Sequence, residues 1–403
     1  MSNLYIVLTI SIWMCGTCTL QSGADPGPLY TLYNDLLERY KPYIRPRKNP
    51  NDTVDVVVSY SIASVEALDE DTQTVASSGV VLFTWTDELL TWNSSDYGGI
   101  KFINVPVDKL WIPDVSLTNG LEDISLILPD GEIARVINDG QVMWYHGMKK
   151  RTKCPLDMTK FPFDTQTCSI RLIQWVTVIS QVNVTAGGVN IESSLFQRNG
   201  EWEITDKSKD TIVHTYTDVY IQTEIIFTFV FKRKYLYYII TNIIPVMLLS
   251  VLNLGVFLLP PESGEKVSLC ISIVLSYAVF LSVIGGSLPQ VSDTVSIFSI
   301  YLLTMLLLKV ATTLITVFVL KVYHKTTEEA VYMSHRESLI KGHIQDNSKP
   351  NFEQDSALVK QQTTEKERDK QLANKLNKIG FTTVFLLTTM ITFLCFALML
   401  KES

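Results

Sequence analysis

Four apolar stretches follow one another in the second half of this chain, at residues 236–259, 267–288, 295–322 and 379–400. Each is close to the roughly 20 residues that a helix needs to cross the hydrocarbon of a bilayer. Residues 260–266 separate the first two, and 289–294 separate the next two. The polar segment 323–378 precedes the last, and its end at 360–378 reads as a charged amphipathic helix running into the final span. An even number of spans places both termini on the same side of the membrane. Composition agrees: hydrophobic residues make up 47% and charged residues 19%, with a mean hydropathy of +0.19. The charge is unevenly divided. Residues 1–231 hold 17 basic and 28 acidic side chains, and residues 232–403 hold 17 and 13. A net charge of −7 argues against a chain that neutralises phosphate backbones, so no nucleic-acid partner is expected.

The first half has a different texture. Residues 4–20 are apolar but short for a span, and small and polar residues follow, so residues 1–22 read as a secretory signal peptide that removes Cys15 and Cys18. A membrane anchor is the alternative. Leu29, Leu32, Tyr33, Leu36, Leu37 and Tyr40 recur at helical spacing before Pro42. Alternating runs come next: Val54-Val56-Val58, Val80-Leu82, Ile124-Leu126-Leu128, Ile170-Leu172 and Ile225-Phe227-Phe229-Phe231. The expected turns are Asp130-Gly131, Asp139-Gly140, Gly187-Gly188 and Asn199-Gly200. Short strands with no helix between them imply an immunoglobulin-like antiparallel β-sandwich filling residues 23–235. Acceptors for N-glycosylation at Asn51, Asn93 and Asn183 all precede the first span. That segregation, with the signal, places this domain and both termini outside the cell and the chain in the plasma membrane, a postsynaptic membrane being one setting. Cys154 and Cys168 can pair in that oxidising compartment. Charge is a weaker guide to orientation. Residues 321–378 hold 11 basic and 9 acidic side chains, while Lys232-Arg233-Lys234 lies on the outer side.

The second span, 265–288 with its flank, differs from the others. Ser268, Ser272, Leu275, Val279 and Ser282 share one helical face. Hydroxyls line that face and Leu275 supplies an apolar constriction, as suits a stave of a water-filled pore. Hydrogen bonding between neighbouring helices is the alternative use of such serines. Glu262 and Glu265 flank the cytoplasmic start of the helix beside Lys266. They read either as helix capping or, repeated around a ring, as a negative mouth that attracts cations. No phosphate-cradling glycine motif, metal-spaced histidine pair or distinctive carboxylate pair is present, so neither an enzyme nor a metal or cofactor site is expected.

These motifs resemble the Cys-loop family of pentameric ligand-gated ion channels, most closely its nicotinic-like cationic branch. The 13 residues between Cys154 and Cys168 contain Phe161-Pro162-Phe163-Asp164, and the start of the second span reads Glu262-Ser263-Gly264-Glu265-Lys266. Trp85-Thr86-Asp87 and Trp111-Ile112-Pro113-Asp114 match the family's sandwich motifs. The resemblance implies a pentamer of this chain with itself or with homologous subunits, a bilayer around it and monovalent cations passing through it. It implies that the Cys154–Cys168 loop, with Glu70, Asp164, Arg233 and Pro289, couples ligand binding to the pore. It also implies an aromatic box for a small extracellular ligand. Trp175 matches the central Trp, Tyr216 and Tyr220 suit the capping loop, and Trp144 or Tyr145 suits the complementary face. Thr118 stands where the box usually has Tyr, Val80 where it often has Trp, and Gly286 where relatives often carry an acidic ring. The vicinal cysteine pair of agonist-binding subunits is absent from residues 201–222. Two readings follow: a ligand-gated cation channel subunit, or a non-agonist-binding or auxiliary subunit that conducts only in a heteropentamer.

Overall fold

The computed structural model describes residues 27–121, 126–129, 131–191, 196–260, 264–286, 295–341 and 352–401. The signal segment 1–22, Ile124, Asp130, Glu262 and Pro289 lie outside the described residues. Pro28–Leu37 forms the short amphipathic helix (α1), with a proline in its first turn, where a missing N–H costs nothing. Leu32 is its fully buried residue.

Among the described residues, strands Val54–Asp69 (β1), Thr74–Thr86 (β2), Phe102–Pro106 (β3), Val115–Leu117 (β4), Ile133–Ile137 (β5), Gln141–Lys153 (β6), Thr165–Gln174 (β7), Val182–Ile191 (β8), Trp202–Thr215 (β9) and Ile221–Arg233 (β10) build two sheets. One runs β3-β5-β6-β2-β1-β8 and the other β4-β7-β10-β9. The pairings are antiparallel except β1 with β8, which is parallel. The chain passes from β7 in one sheet to β8 in the other and back to β9, so β8 reaches β1 by a crossover rather than a hairpin.

The alternation of the sequence is the alternation of burial. Val54, Val56, Val58 and Tyr60 of β1 face Ile225, Phe227, Phe229 and Phe231 of β10 in one core, with Tyr60 at 5.8 Å from Phe227 and 5.9 Å from Phe229 between ring centroids. In β2 the inward phase is Val81, Phe83 and Trp85, one residue out of step with Val80-Leu82. Both phases of this strand are apolar, so alternation alone does not select one. Gly187-Gly188 is likewise not a turn. It lies within β8 at a register shift against β1, where a side chain at Gly187 would meet the Ser59 hydroxyl and Val57. Cys154 and Cys168 are joined by a disulfide.

Among the described residues, Leu236–Leu258 (α2), Lys266–Gly285 (α3), Ile297–Lys341 (α4) and Phe352–Leu400 (α5) supply four helices long and apolar enough to span a membrane. A π-helical turn at Ile239–Ile243 precedes Pro245 in α2, a local widening that accommodates an imino acid unable to donate to the helix ladder. Helices α4 and α5 both continue into the polar segment between them, beyond the 360–378 stretch that reads as helical in the sequence.

The tryptophan-bearing motifs are tied together through Asp87. Its buried carboxylate accepts from the Tyr40 hydroxyl at 2.6 Å and the Leu89 amide at 2.9 Å, while Tyr40 accepts from the Trp111 amide at 3.1 Å. Burial pushes the Asp87 carboxyl above the usual carboxylate range, against the pull of the Tyr40 hydroxyl. The Asp87 amide donates to the carbonyl of Gly140, 2.8 Å away, at the β5–β6 turn. Gly140 holds φ at +89°, and a Cβ there would strike the Asp87 carbonyl. Gly140→Ala is therefore expected to destabilise the sandwich by about 1–3 kcal/mol. Purified Gly140→Ala protein should show a lowered Tm and reduced surface yield, whereas Gly131→Ala, with open space around its Cβ position, should be milder.

Candidate functional site

The junction between sandwich and helices is organised by Arg233, the last residue of β10. Its side chain is fully buried. Nε donates to Asp164 Oδ1 at 2.8 Å and Nη2 to Asp164 Oδ2 at 3.2 Å, a two-point pairing. Nη2 also donates to Glu70 at 2.9 Å, and Nη1 to Glu201 at 2.7 Å and to the Tyr238 hydroxyl at 3.2 Å. Trp202 covers the guanidinium face at 4.2 Å and Phe161 lies 5.2 Å away. Burial opposes the charge on Arg233. The hydrogen bond and charge of Asp164, with Glu70, more than reverse that, so its pKa stands above the ordinary guanidinium value. For Glu70 burial prevails over the attraction of Arg233 and raises the carboxyl pKa. Glu70, Asp164 and Arg233 are thus brought together. Glu201 and Tyr238 join them without any motif in the sequence to announce them.

The disulfide-closed loop rests on the helices. Met158 and Phe161 are buried in the same apolar cluster as Ile243, Tyr277, Phe298 and Tyr301. Phe161 lies 5.0 Å from Tyr238 and 6.4 Å from Phe298, Phe163 lies 5.1 Å from Tyr235, and the Ile297 amide donates to the Thr159 carbonyl at 3.0 Å. Movement of this loop therefore reaches both α2 and the start of α4.

Higher in the sandwich, Trp175 follows β7, and Tyr216 and Tyr220 flank the β9–β10 hairpin; all three rings are exposed. The Tyr216 and Tyr220 ring centroids are 5.7 Å apart. Gln222 Nε2 donates to the Trp175 carbonyl at 3.0 Å and to the Tyr220 hydroxyl at 2.8 Å, fixing the hairpin against the end of β7. Thr118 does not join the rings. Its hydroxyl donates to the Arg171 carbonyl and to buried Glu224, each at 3.2 Å. Glu224 in turn meets His214 at 2.9 Å and Arg171 at 3.4 Å, and His214 lies against Tyr216 at 6.2 Å. This Arg171–Glu224–His214 cluster has no spacing signature, since three different strands contribute it.

Trp144 and Tyr145 part company. Trp144 is fully buried, stacked on Phe83 at 4.7 Å with its indole N–H donating to Glu132 at 2.6 Å. It is a core residue and cannot present a face to a ligand. Successive side chains of a strand point to opposite faces, so Tyr145 is the exposed one, at 53%. Val80 lies on β2, paired with Gly147 of β6.

On α3, Ser268, Ser272, Leu275, Val279 and Ser282 are all exposed, while Lys266, Cys270, Ile273, Tyr277 and Ile284 are buried against the other helices. The Ser272 hydroxyl donates to the Ser268 carbonyl at 2.9 Å. Glu265 precedes the first turn, is exposed, and makes no capping bond with its side chain. Lys266 turns the other way and donates to Asn377 of α5 at 2.6 Å, so its positive charge lies away from the exposed stripe. Gly286 is exposed just beyond the other end of α3.

Two family models cover most of the chain. The neurotransmitter-gated ion-channel ligand binding domain matches residues 29–235, and the neurotransmitter-gated ion-channel transmembrane region matches residues 242–384. The chain belongs to the neurotransmitter-gated ion-channel family. It is 34% identical over 327 residues to the neuronal acetylcholine receptor subunit alpha-3 of Carassius auratus, covering 80% of this chain and 62% of that subunit. It is 32% identical over 356 residues to the human neuronal acetylcholine receptor subunit beta-3, covering 85% of this chain and 77% of that one. The mouse alpha-6 subunit is 32% identical over 322 residues, covering 79% of this chain and 64% of its own length. This channel-family member thus has the family's outer β-sandwich and its membrane region in the family's order.

The geometry at the junction ranks three substitutions. Arg233→Ala leaves the Asp164 carboxylate buried without its cation, with the Gln166 amide still donating to it at 2.6 Å, a loss of about 3–5 kcal/mol, and should nearly abolish surface protein. Asp164→Asn should come next, because it removes the two-point pairing. Glu70→Gln should be mild, because burial already opposes charge on that carboxyl. Surface biotinylation of the three variants checks the order; equal expression of Arg233→Ala and wild type would disprove it.

Proposed function

We propose that the chain is a subunit of a cation-selective channel, assembled as a pentamer with itself or with homologous subunits and opened by a small extracellular ligand. The observation that carries this reading is the sidedness of α3. One face is packed and the opposite face, with its three serines, is left open by its own subunit. In a ring of five such helices those faces would surround an axial, water-filled path, with Leu275 as an apolar gate and Glu265, with Glu262, as the cation-attracting mouth. Monovalent cations are the permeating species, and Lys266, tied to Asn377, does not oppose them.

The ligand site in this reading forms between subunits. Trp175, Tyr216 and Tyr220 supply one side. Tyr145 is on the six-stranded sheet and the rings are on or beside the four-stranded one, so Tyr145 serves the complementary side of a neighbour. A ligand cation over such rings gains roughly 0.5–2 kcal/mol per good contact. The Cys154–Cys168 loop and the Arg233 cluster, with Pro289, pass the consequence to the helices. The sandwich, its acceptors Asn51, Asn93 and Asn183 and both termini lie outside a plasma membrane.

A subunit that contributes no agonist site of its own is the second reading. Thr118 favours it, because its hydroxyl is engaged with Glu224 rather than with the rings, and so does the lack of vicinal cysteines in the hairpin.

Leu275→Thr, expressed alone in oocytes, decides between them. A standing Na⁺ leak is expected from a chain that builds its own pore. Surface protein without current would favour the heteropentamer reading. In the same background, Glu265→Ala is expected to lower cation conductance by about twofold or more, and to shift reversal potentials in ion-substituted baths toward weaker cation preference.

A further inference from the structure

Lys309 lies twelve residues into α4, about 18 Å along the helix from its start. The four apolar stretches contain no Asp or Glu, so no carboxylate in them is available to pair with it. Lys309 is only 2% exposed. Its ammonium lies over the Tyr277 ring at 5.1 Å and donates to the Ser250 hydroxyl at 3.4 Å. The ring face supports a cation, and the hydroxyl takes one of its three protons. Among the described residues the ammonium meets a ring face and a hydroxyl but no carboxylate.

Its position relative to α3 is what gives it a consequence. Tyr277 is two residues from both Leu275 and Val279, so it sits about 200° around the helix and about 3 Å along the axis from each. The ammonium is therefore behind the pore helix at the height of the apolar gate. An α-helix is about 10–12 Å across, which puts the charge on the order of 15 Å from the face where ions would pass. Apolar side chains and helix backbone fill that gap, so salt screens it less than it screens a surface charge.

We propose that Lys309 sets the conductance of this channel: its charge, buried behind the gate, raises the barrier that permeating cations meet at Leu275 and Val279. The inference rests on the pore reading given above. Coulomb energy scales with the charge of the ion, so the barrier from this source is twice as high for a divalent cation as for a monovalent one. Lys309 thereby favours Na⁺ over Ca²⁺ in a pore whose mouth carries carboxylates.

Single-channel recording in the Leu275→Thr background tests this. Lys309→Met keeps an unbranched chain against Tyr277 without the charge, and Lys309→Gln keeps a donor for Ser250 without the charge. Both are expected to raise Na⁺ conductance by about threefold, and relative Ca²⁺ permeability with it, because a threefold change for one charge corresponds to about ninefold for two. A structural role alone would alter surface yield or open probability and leave conductance and the Ca²⁺ to Na⁺ ratio in place. Current from the parent with unchanged conductance in either variant would overturn this inference and leave the channel reading standing. No current from the parent would overturn this inference for a pore built from this chain alone and leave the heteropentamer reading.

Discussion

A guanidinium enclosed between a water-facing β-sandwich and a lipid-facing helical bundle holds the two halves of this subunit in register. Arg233 ends β10 and precedes α2, so the covalent path and the ionic one coincide. Three carboxylates reach it, from β1 and its turn, from the disulfide loop and from the segment before β9. Charges so buried are costly when unpaired and strongly directional when paired. Shifting any one of these segments relative to the others alters the same set of bonds. Phe161 and Met158 then convert the position of the loop into packing against α2, α3 and α4. Among the described residues, this cluster and the disulfide loop packed beside it join the sandwich to the helices.

The upper and lower parts of the subunit leave complementary surfaces unfinished. Above, exposed rings on one sheet and an exposed tyrosine on the other cannot meet within one chain. Below, a serine-bearing stripe of α3 is left uncovered by the helices of its own chain. Copies of the same architecture arranged around an axis would complete both at once. Lys266 and Glu265 show how a single turn sorts charge for this purpose: adjacent in sequence, they point about 100° apart, one into the bundle and one out of it.

The parts of the fold visible in the sequence are those that one physical rule determines. Apolar length specified the spans, and alternation specified most strands. The cysteine pair and the Phe161-Pro162-Phe163-Asp164 motif led to the junction. Where two rules compete, the sequence is ambiguous. Both phases of β2 are apolar, so its inward face needed the second sheet. Gly187-Gly188 obeys turn chemistry and also the close approach of β1, and the latter prevails. Trp144 and Tyr145 are both aromatic, and only strand register separates core from surface. Glu201, Tyr238, Glu224 and His214 are ordinary residues in sequence, made functional candidates by strands and helices that meet far from their neighbours in the chain. Lys309 stands out in composition, yet its place behind α3 depends on which way α4 is turned.

The account turns on whether the serine-bearing side of α3 faces water. Ser272→Cys and Val279→Cys, made singly, would each be exposed to a charged methanethiosulfonate reagent while channel current is recorded; Cys270 and Cys395 are buried and should stay silent. Modification at both positions, faster with the channel open, is the predicted result. Two thiols that remain unreactive in both open and closed conditions would contradict a permeation path along this helix.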